Sequence, residues 1–195
     1  MLSEKLKDYN IILASGSPRR QLLLRDLDIK FSIELKPIEE EFPSDLQHFE
    51  VSDYLAKLKA FPFKESLKDN DILITSDTIV WHEEKVLGKP TNFDDAFFML
   101  KSMSGKTHEV ITSVCFTTTH FKKTVNCITK VTFKHLSDDE ISHYINTYEP
   151  FDKAGAYGIQ EWIGKIGVSK IEGSYFNVVG FPVHLVYSTL KEIVK

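Results

Sequence analysis

The chain has 195 residues, 42% of them hydrophobic and 27% charged, and a formal net charge of -4. That composition excludes a disordered chain, and the acidic balance argues against a general nucleic-acid binder, which carries a basic surplus. Two cysteines, Cys115 and Cys127, exclude a disulfide-dense secreted scaffold and fit a reducing cytosol; no long apolar segment follows MLSEKLKDYN, so no secretory signal or membrane span is expected.

Ile11-Ile12-Leu13-Ala14 reads as a short buried strand. Ser17-Pro18 starts a helix, with the serine as N-cap, the proline at the first helical position, and Leu22, Leu23 and Leu24 as a buried face. Residues 29–35 read as a second strand, followed by the acidic loop 37–43. Residues 51–61 form a helix with Val51, Leu55 and Leu58 on one stripe, Lys59 on its flank, and Pro62 at its end. Residues 72–76 are a buried strand running into Asp77-Thr78. Residues 79–81 and 85–87 flank the polar turn His82-Glu83-Glu84 as a hairpin, and Gly88-Lys89-Pro90 follows. Asn92 caps a helix carrying Ala96, Met99, Leu100 and Met103. Residues 109–118 and 125–133 alternate as strands, the second with Val125, Cys127, Thr129, Val131 and Phe133 on one face. Ser137 and Glu140 make a capping box before a helix with Ile141, Tyr144, Ile145 and Tyr148 on one side. The segment 152–167 holds too many glycines for one helix and too many apolar residues for a free linker. A last helix starts near Pro182 and carries Val183, Val186, Leu190 and Val194. Mixed strands and helices, with no clear linker, argue an α/β fold.

Arg19 and Arg20 fall in the first turn of the first predicted helix. Cations are unfavourable there, because the free N–H groups already make that end positive. They are either ordinary surface arginines or partners of an anion, and phosphate suits both the guanidinium forks and the helix end. Asp77, closing an apolar run, either caps its own turn or stands at the C-terminal edge of a sheet, where open α/β folds hold ligands. There it could take a proton from water or hold a divalent ion. Lys59 and Lys89 are singly read as snorkelling surface residues. Together with Arg19, Arg20 and Lys153 they supply more positive charge than one carboxylate needs, and a polyphosphate would use it. Glu39-Glu40-Glu41 is a solvated charge run, or supplies one carboxylate that pairs with Asp77 around Mg²⁺. Ser104-Gly105-Lys106-Thr107 imitates the end of a phosphate-binding P-loop, but Leu100 stands where that motif needs glycine, so it reads as a turn. The seven histidines show no zinc spacing, and Cys115 and Cys127 read as core residues.

Seven segments, in order, span nearly the whole chain: LASGSPRRQLLL (13–24), LAKLKA (55–60), SDTIV (76–80), LGKP (87–90), MSGKTHEV (103–110), EPFDKAGAYGIQ (149–160) and IEGSYFNVVGFP (171–182). Together they resemble the Maf family of nucleoside triphosphate pyrophosphatases. The resemblance implies one Maf-like domain over residues 1–195, with a mixed twisted sheet, flanking helices and two lobes around a cleft. It implies a divalent metal, Mg²⁺ or Mn²⁺, and hydrolysis of a nucleoside triphosphate to the monophosphate and pyrophosphate. Ser15, Arg19 and Arg20 match the family's phosphate-binding motif, and Lys59 and Lys89 match lysines that contact phosphates. Lys153 joins them as a further phosphate-binding candidate. Asp77 matches the catalytic aspartate, and as the partner of the acidic loop's carboxylate it is also the expected metal ligand. Glu40 is the best match to the acidic metal-site residue, with the triple glutamate leaving the register open by one. Gln160 matches the glutamine of the pyrimidine-type subfamily, which implies dTTP or UTP as substrate. Glu161 and Trp162 depart from the pattern that follows this glutamine.

The implied partner is a small-molecule nucleotide, with no nucleic acid and no membrane, in a cytoplasmic protein compatible with a homodimer. Two rival readings remain open at this point: the same reaction on a modified or non-standard purine triphosphate, and a non-catalytic nucleotide-binding regulator of septum formation.

Overall fold

The computed structural model describes residues 1–194. In chain order its first half contains α1 (Leu2–Lys5), β1 (Asn10–Leu13), α2 (Pro18–Arg25), β2 (Ser32–Ile33), α3 (Phe49–Ala60), β3 (Asp71–His82), β4 (Lys85–Leu87) and α4 (Phe93–Met103). The rest contains β5 (Thr107–Thr117), β6 (Lys122–Phe133), α5 (Asp138–Tyr148), α6 (Trp162–Gly167), β7 (Val168–Glu172), α7 (Tyr175–Val179) and α8 (Val183–Ile193). The strands pair in the order β2-β1-β3-β5-β6-β7, with β4 on β3. β1 is parallel to β2 and β3, whereas β4 and β7 are antiparallel to their neighbours β3 and β6, so the sheet is mixed.

The chain divides into two compact units, neither of them contiguous in sequence. The first comprises Met1–Asp77, Thr112–Cys127 and the chain from Gly180 onward; the second comprises Thr78–Ile111 and Ile128–Val179. β3, β5 and β6 each contribute one part to each unit.

In the first unit, Ile12, Ala60, Phe63 and Leu73 form a buried cluster, with Ala14 and Leu67 against it. α3 presents Val51, Leu55 and Ala56 inward, and its chain continues through Phe61–Phe63 as a 3-10 turn opened by Pro62. The tighter turn follows because proline has no N–H to continue the α-helical ladder. α2 buries Leu23 and Leu24, but Leu22 is half exposed. The expected second strand shrinks to Ser32–Ile33, both exposed.

In the second unit, Asn92 and Ser137 cap α4 and α5 as their sequences require, and the capping box at Ser137–Glu140 is complete. The hairpin turn is shorter than the sequence suggests. His82 already pairs with Lys85, leaving Glu83 and Glu84 as a two-residue loop, both with positive φ. Two successive left-handed residues match the right-handed twist of the flanking strands. His108 is buried in this unit, 2.8 Å from the Tyr157 hydroxyl through Nε2. Burial pushes the His108 imidazole down to about 3, with the nearby His82 adding to the shift. The glycine-rich segment 152–167 breaks up, as its composition demands, into tight turns and the short helix α6.

Candidate active site

The loop between β1 and α2 sets the first part of the site. Ser15 is buried; its Oγ accepts from the Ser17 amide at 3.3 Å, and its carbonyl accepts from Gln21 Nε2 at 3.0 Å. Pro18 opens α2, and the Ser17 side chain caps it by accepting from the Arg20 amide. Arg19 and Arg20 therefore sit in the first turn, as expected, and both are half-buried.

Arg20 is held in place by backbone oxygens. Its Nη1 donates to the Ser76 carbonyl at 2.7 Å and its Nε to the Gly180 carbonyl at 3.0 Å. The pairing of β1 with β3 ends at Leu13 opposite Ile74, so the Ser76 carbonyl lies past the last register pair with β1. A guanidinium takes over one ladder acceptor and ties the two chain segments together. Burial lowers the Arg20 affinity for its proton; the Asp77 carboxylate raises it, Arg19 lowers it further and Glu40 raises it. The two carboxylates thus offset only part of the cost of burying this cation, and the net shift is downward.

Asp77 is buried and lies within β3 rather than at its end, because the strand continues without a break to His82. The sequence expectation of a sheet edge is corrected here. The apolar run ends at Ile74, but the consecutive apolar residues Ile79, Val80 and Trp81 carry the extended chain onward. Asp77 instead falls between the end of the β1 pairing and the start of the β4 pairing at Val80. Its Oδ1 accepts from Lys59 Nζ at 2.7 Å, and the same nitrogen is 3.1 Å from Glu40 Oε1. Lys59 reaches this position from the last turn of α3. Of the three consecutive glutamates, the Glu40 carboxylate thus shares one ammonium with Asp77.

The second unit carries Lys89, Lys153 and Gln160. Lys89 is exposed just after β4. Lys153 is largely buried, and its ammonium is 2.6 Å from Asp152 Oδ1 and 3.2 Å from Glu161 Oε1. Gln160 is exposed in a tight turn closed by the Glu161 amide donating to the Gly158 carbonyl at 3.0 Å. Lys106, in the P-loop-like turn, pairs with Glu83 at 2.7 Å. The sequence reading missed the Ser76 and Gly180 carbonyls, which no side-chain pattern betrays. It also missed the hydroxyl of Tyr144, hidden in an apolar helical stripe; the departure at Glu161 was its one visible sign.

A Maf-like protein family model matches residues 10–193. A dTTP/UTP pyrophosphatase of Flavobacterium johnsoniae is 59% identical over 194 residues, covering 100% of both chains. The dTTP/UTP pyrophosphatase of Christiangramia forsetii is 55% identical over 193 residues, 99% of this chain and 98% of its own. That of Flavobacterium psychrophilum is 57% identical over 187 residues, 96% of each chain. With the family model and these relatives spanning the strand-turn-helix, Lys59, Asp77 and the glycine-rich turn alike, the chain belongs to the Maf family.

Proposed function

We propose that the protein hydrolyses dTTP and UTP to the monophosphate and pyrophosphate. The observation that supports this most directly is the convergence of Glu40 and Asp77 on the Lys59 ammonium, in a chain 59% identical end to end to a dTTP/UTP pyrophosphatase. In this reading Asp77 orients the attacking water and takes its proton. In the free protein Lys59 and Arg20 balance the carboxylate. Ser15, Arg19 and Arg20 hold phosphate oxygens at the start of α2, and Lys59 and Lys89 offset charge on the triphosphate and the leaving pyrophosphate. Lys153 joins them to the extent that the nucleotide draws its ammonium from Asp152 and Glu161. Gln160 reads the base. Its amide offers both a donor and an acceptor, and the uracil or thymine edge presents C=O, N–H, C=O.

The donor set fits a divalent cation, Mg²⁺ or Mn²⁺. Two hard carboxylate oxygens already lie within reach of one cationic nitrogen. Among the described residues no group of three or more His, Cys, Asp or Glu side chains forms a metal cage. Magnesium characteristically takes one or two carboxylates and completes its shell with phosphates and water. Glu40 and Asp77 would hold it, and when bound it supplies charge neutralisation at the phosphoryl oxygens. No helix among the described residues is long and apolar enough to cross a membrane. We assign the protein to the cytoplasm, where two cysteines that form no disulfide are at home, and take a homodimer as the assembly for sedimentation to test.

The test is kcat/KM for dTTP, UTP, CTP, GTP and 7-methyl-GTP under one metal condition, with and without Gln160→Ala. The two uracil-edge nucleotides lead in the parent, and the variant loses that lead. A purine ahead by about tenfold, a difference of about 1.4 kcal/mol, overturns the substrate assignment in favour of the modified-purine reading.

A further inference from the structure

Gln160 sits in the middle of a turn whose two ends meet one side chain from another element. The turn runs from Gly158 to Glu161 and is closed by the Glu161 amide on the Gly158 carbonyl. The Tyr144 hydroxyl, from α5, accepts the Gly158 amide at 3.0 Å and donates its own proton to Glu161 Oε2. One phenol oxygen therefore holds the first residue of the turn by its backbone and the last by its side chain. The other Glu161 oxygen lies 3.2 Å from the Lys153 ammonium. Tyr144 is fully buried, and its ring stacks on Tyr148, so the hydroxyl has little freedom to leave. Burial and the adjacent carboxylate both push the Tyr144 phenol above its ordinary range, which keeps the donating proton in place.

The packing is close, and it is unyielding where backbone meets backbone at Gly164. A Cβ at Gly158 would lie 2.9 Å from the Glu161 carboxylate carbon and 3.1 Å from Lys153 Cε. A Cβ at Gly164, in α6, would lie 2.0 Å from the Ile159 carbonyl oxygen. The turn is thus pressed against a helix on one side and clamped by Tyr144 and Glu161 on the other, while Gln160 itself stays exposed.

We infer that Tyr144 and Glu161 are positioning residues that fix the Gly158–Glu161 turn and so set the specificity of Gln160 for its base. This rests on the reading of Gln160 as the base-recognising residue. A side-chain amide selects a base by directed hydrogen bonds, and a turn free to rock would let it satisfy other ring edges. The clamp also gives Lys153 a second task. Its ammonium holds Glu161 in place, so its charge is engaged before any phosphate arrives.

The experiment uses the full chain with Tyr144→Phe, Glu161→Ala, Glu161→Gln and, in parallel, Gln160→Ala. Two readouts are taken: backbone amide exchange at Gly158 in the free protein, by ¹⁵N NMR, and KM and kcat separately for dTTP, UTP and GTP. Tyr144→Phe keeps the ring and its stacking and removes only the hydroxyl, so it is the deciding variant. It should speed Gly158 exchange by about tenfold or more and raise KM for dTTP by roughly 5- to 20-fold, the scale of one or two lost hydrogen bonds. It should leave kcat within about threefold and narrow the gap between dTTP and GTP, as befits lost ground-state binding. Glu161→Ala should behave alike, and Glu161→Gln, which keeps an acceptor for Tyr144, should recover most of the loss. Unchanged Gly158 exchange in Tyr144→Phe overturns the clamp. Faster exchange with unchanged KM and ranking overturns its link to specificity. If Gln160→Ala also leaves the ranking unchanged, the fault lies in the base-reading role of Gln160, and the specificity claim falls with it.

Discussion

Lys59 and Asp77 are joined by a 2.7 Å ion pair in which the carboxylate is buried and the ammonium nearly so. The pair defines what a neutral replacement does. Asp77→Asn keeps the shape but leaves Lys59 facing only Glu40, and it removes the proposed proton acceptor. Turnover should fall by about 10²–10⁴-fold, the general-base scale, while the dissociation constant for dTTP changes far less. Single-turnover rates beside calorimetric binding decide it: turnover within about threefold of the parent would remove Asp77 from the chemistry.

Arg20 ties two backbone segments together and is proposed to hold phosphate, and the two roles can be separated. Arg20→Ala frees the Ser76 and Gly180 carbonyls, so a lower melting temperature is expected whatever the ligand. Its effect on binding should instead grow with the number of phosphates, being small for thymidine and about 10- to 100-fold for dTTP. Arg20→Lys restores charge but not the fork, and should rescue only in part. Equal losses for nucleoside, monophosphate and triphosphate would mean that Arg20 serves the fold alone.

The position of bond cleavage can be read without any variant. Reaction in ¹⁸O-water should place the label in the monophosphate, because attack at the α-phosphorus leaves pyrophosphate intact. Label found only in pyrophosphate would reverse the assignment of which phosphorus is attacked.

His108 makes the fold sensitive to acid. Its imidazole is lowered from 6.5 to about 3 by burial first and His82 second, so the folded chain resists a proton that the unfolded chain accepts. Its stabilising contribution is complete above pH 6.5 and is lost progressively as pH falls from there towards 3. The slope is at most about 1.4 kcal/mol per pH unit. Urea midpoints near pH 7.5 and about 5.5 should therefore differ more for the parent than for His108→Gln. An identical difference in the two proteins would show that another group carries the acid response.

The sequence exposed those parts of the site that depend on local pattern. Ser17-Pro18 sets the start of α2, and hence the place of Arg19 and Arg20, because capping and proline geometry act within a few residues. The stripe of α3 likewise put Lys59 on a flank, from which it reaches Asp77. Whatever depends on distant partners was not legible. Asp77 looked like a strand end because a polar residue follows an apolar run, whereas a lysine 18 positions earlier lets the strand carry a buried charge through its middle. Leu22 looked buried because three leucines in a row cannot say which two face inward. The Tyr144 hydroxyl was invisible for a similar reason: helical spacing reports where the ring lies and nothing about its oxygen.

The interleaving of the two units has a consequence for the growing chain. The first unit opens with α1 and β1, but it also needs Thr112–Cys127 and everything from Gly180 onward, and α1 packs on α8. β1 meets β2 and β3 within the same first segment, but α1 waits for α8. Arg20 shows the delay at a single atom: its Nε waits for a carbonyl 160 residues downstream. The second unit ends at Val179, so all of its residues have been synthesised before the final segment that the first requires. Synthesis therefore reverses the usual order, in which the N-terminal part of a protein completes itself first. Until Gly180 is made, one of the two backbone carbonyls that fix the Arg20 guanidinium is missing.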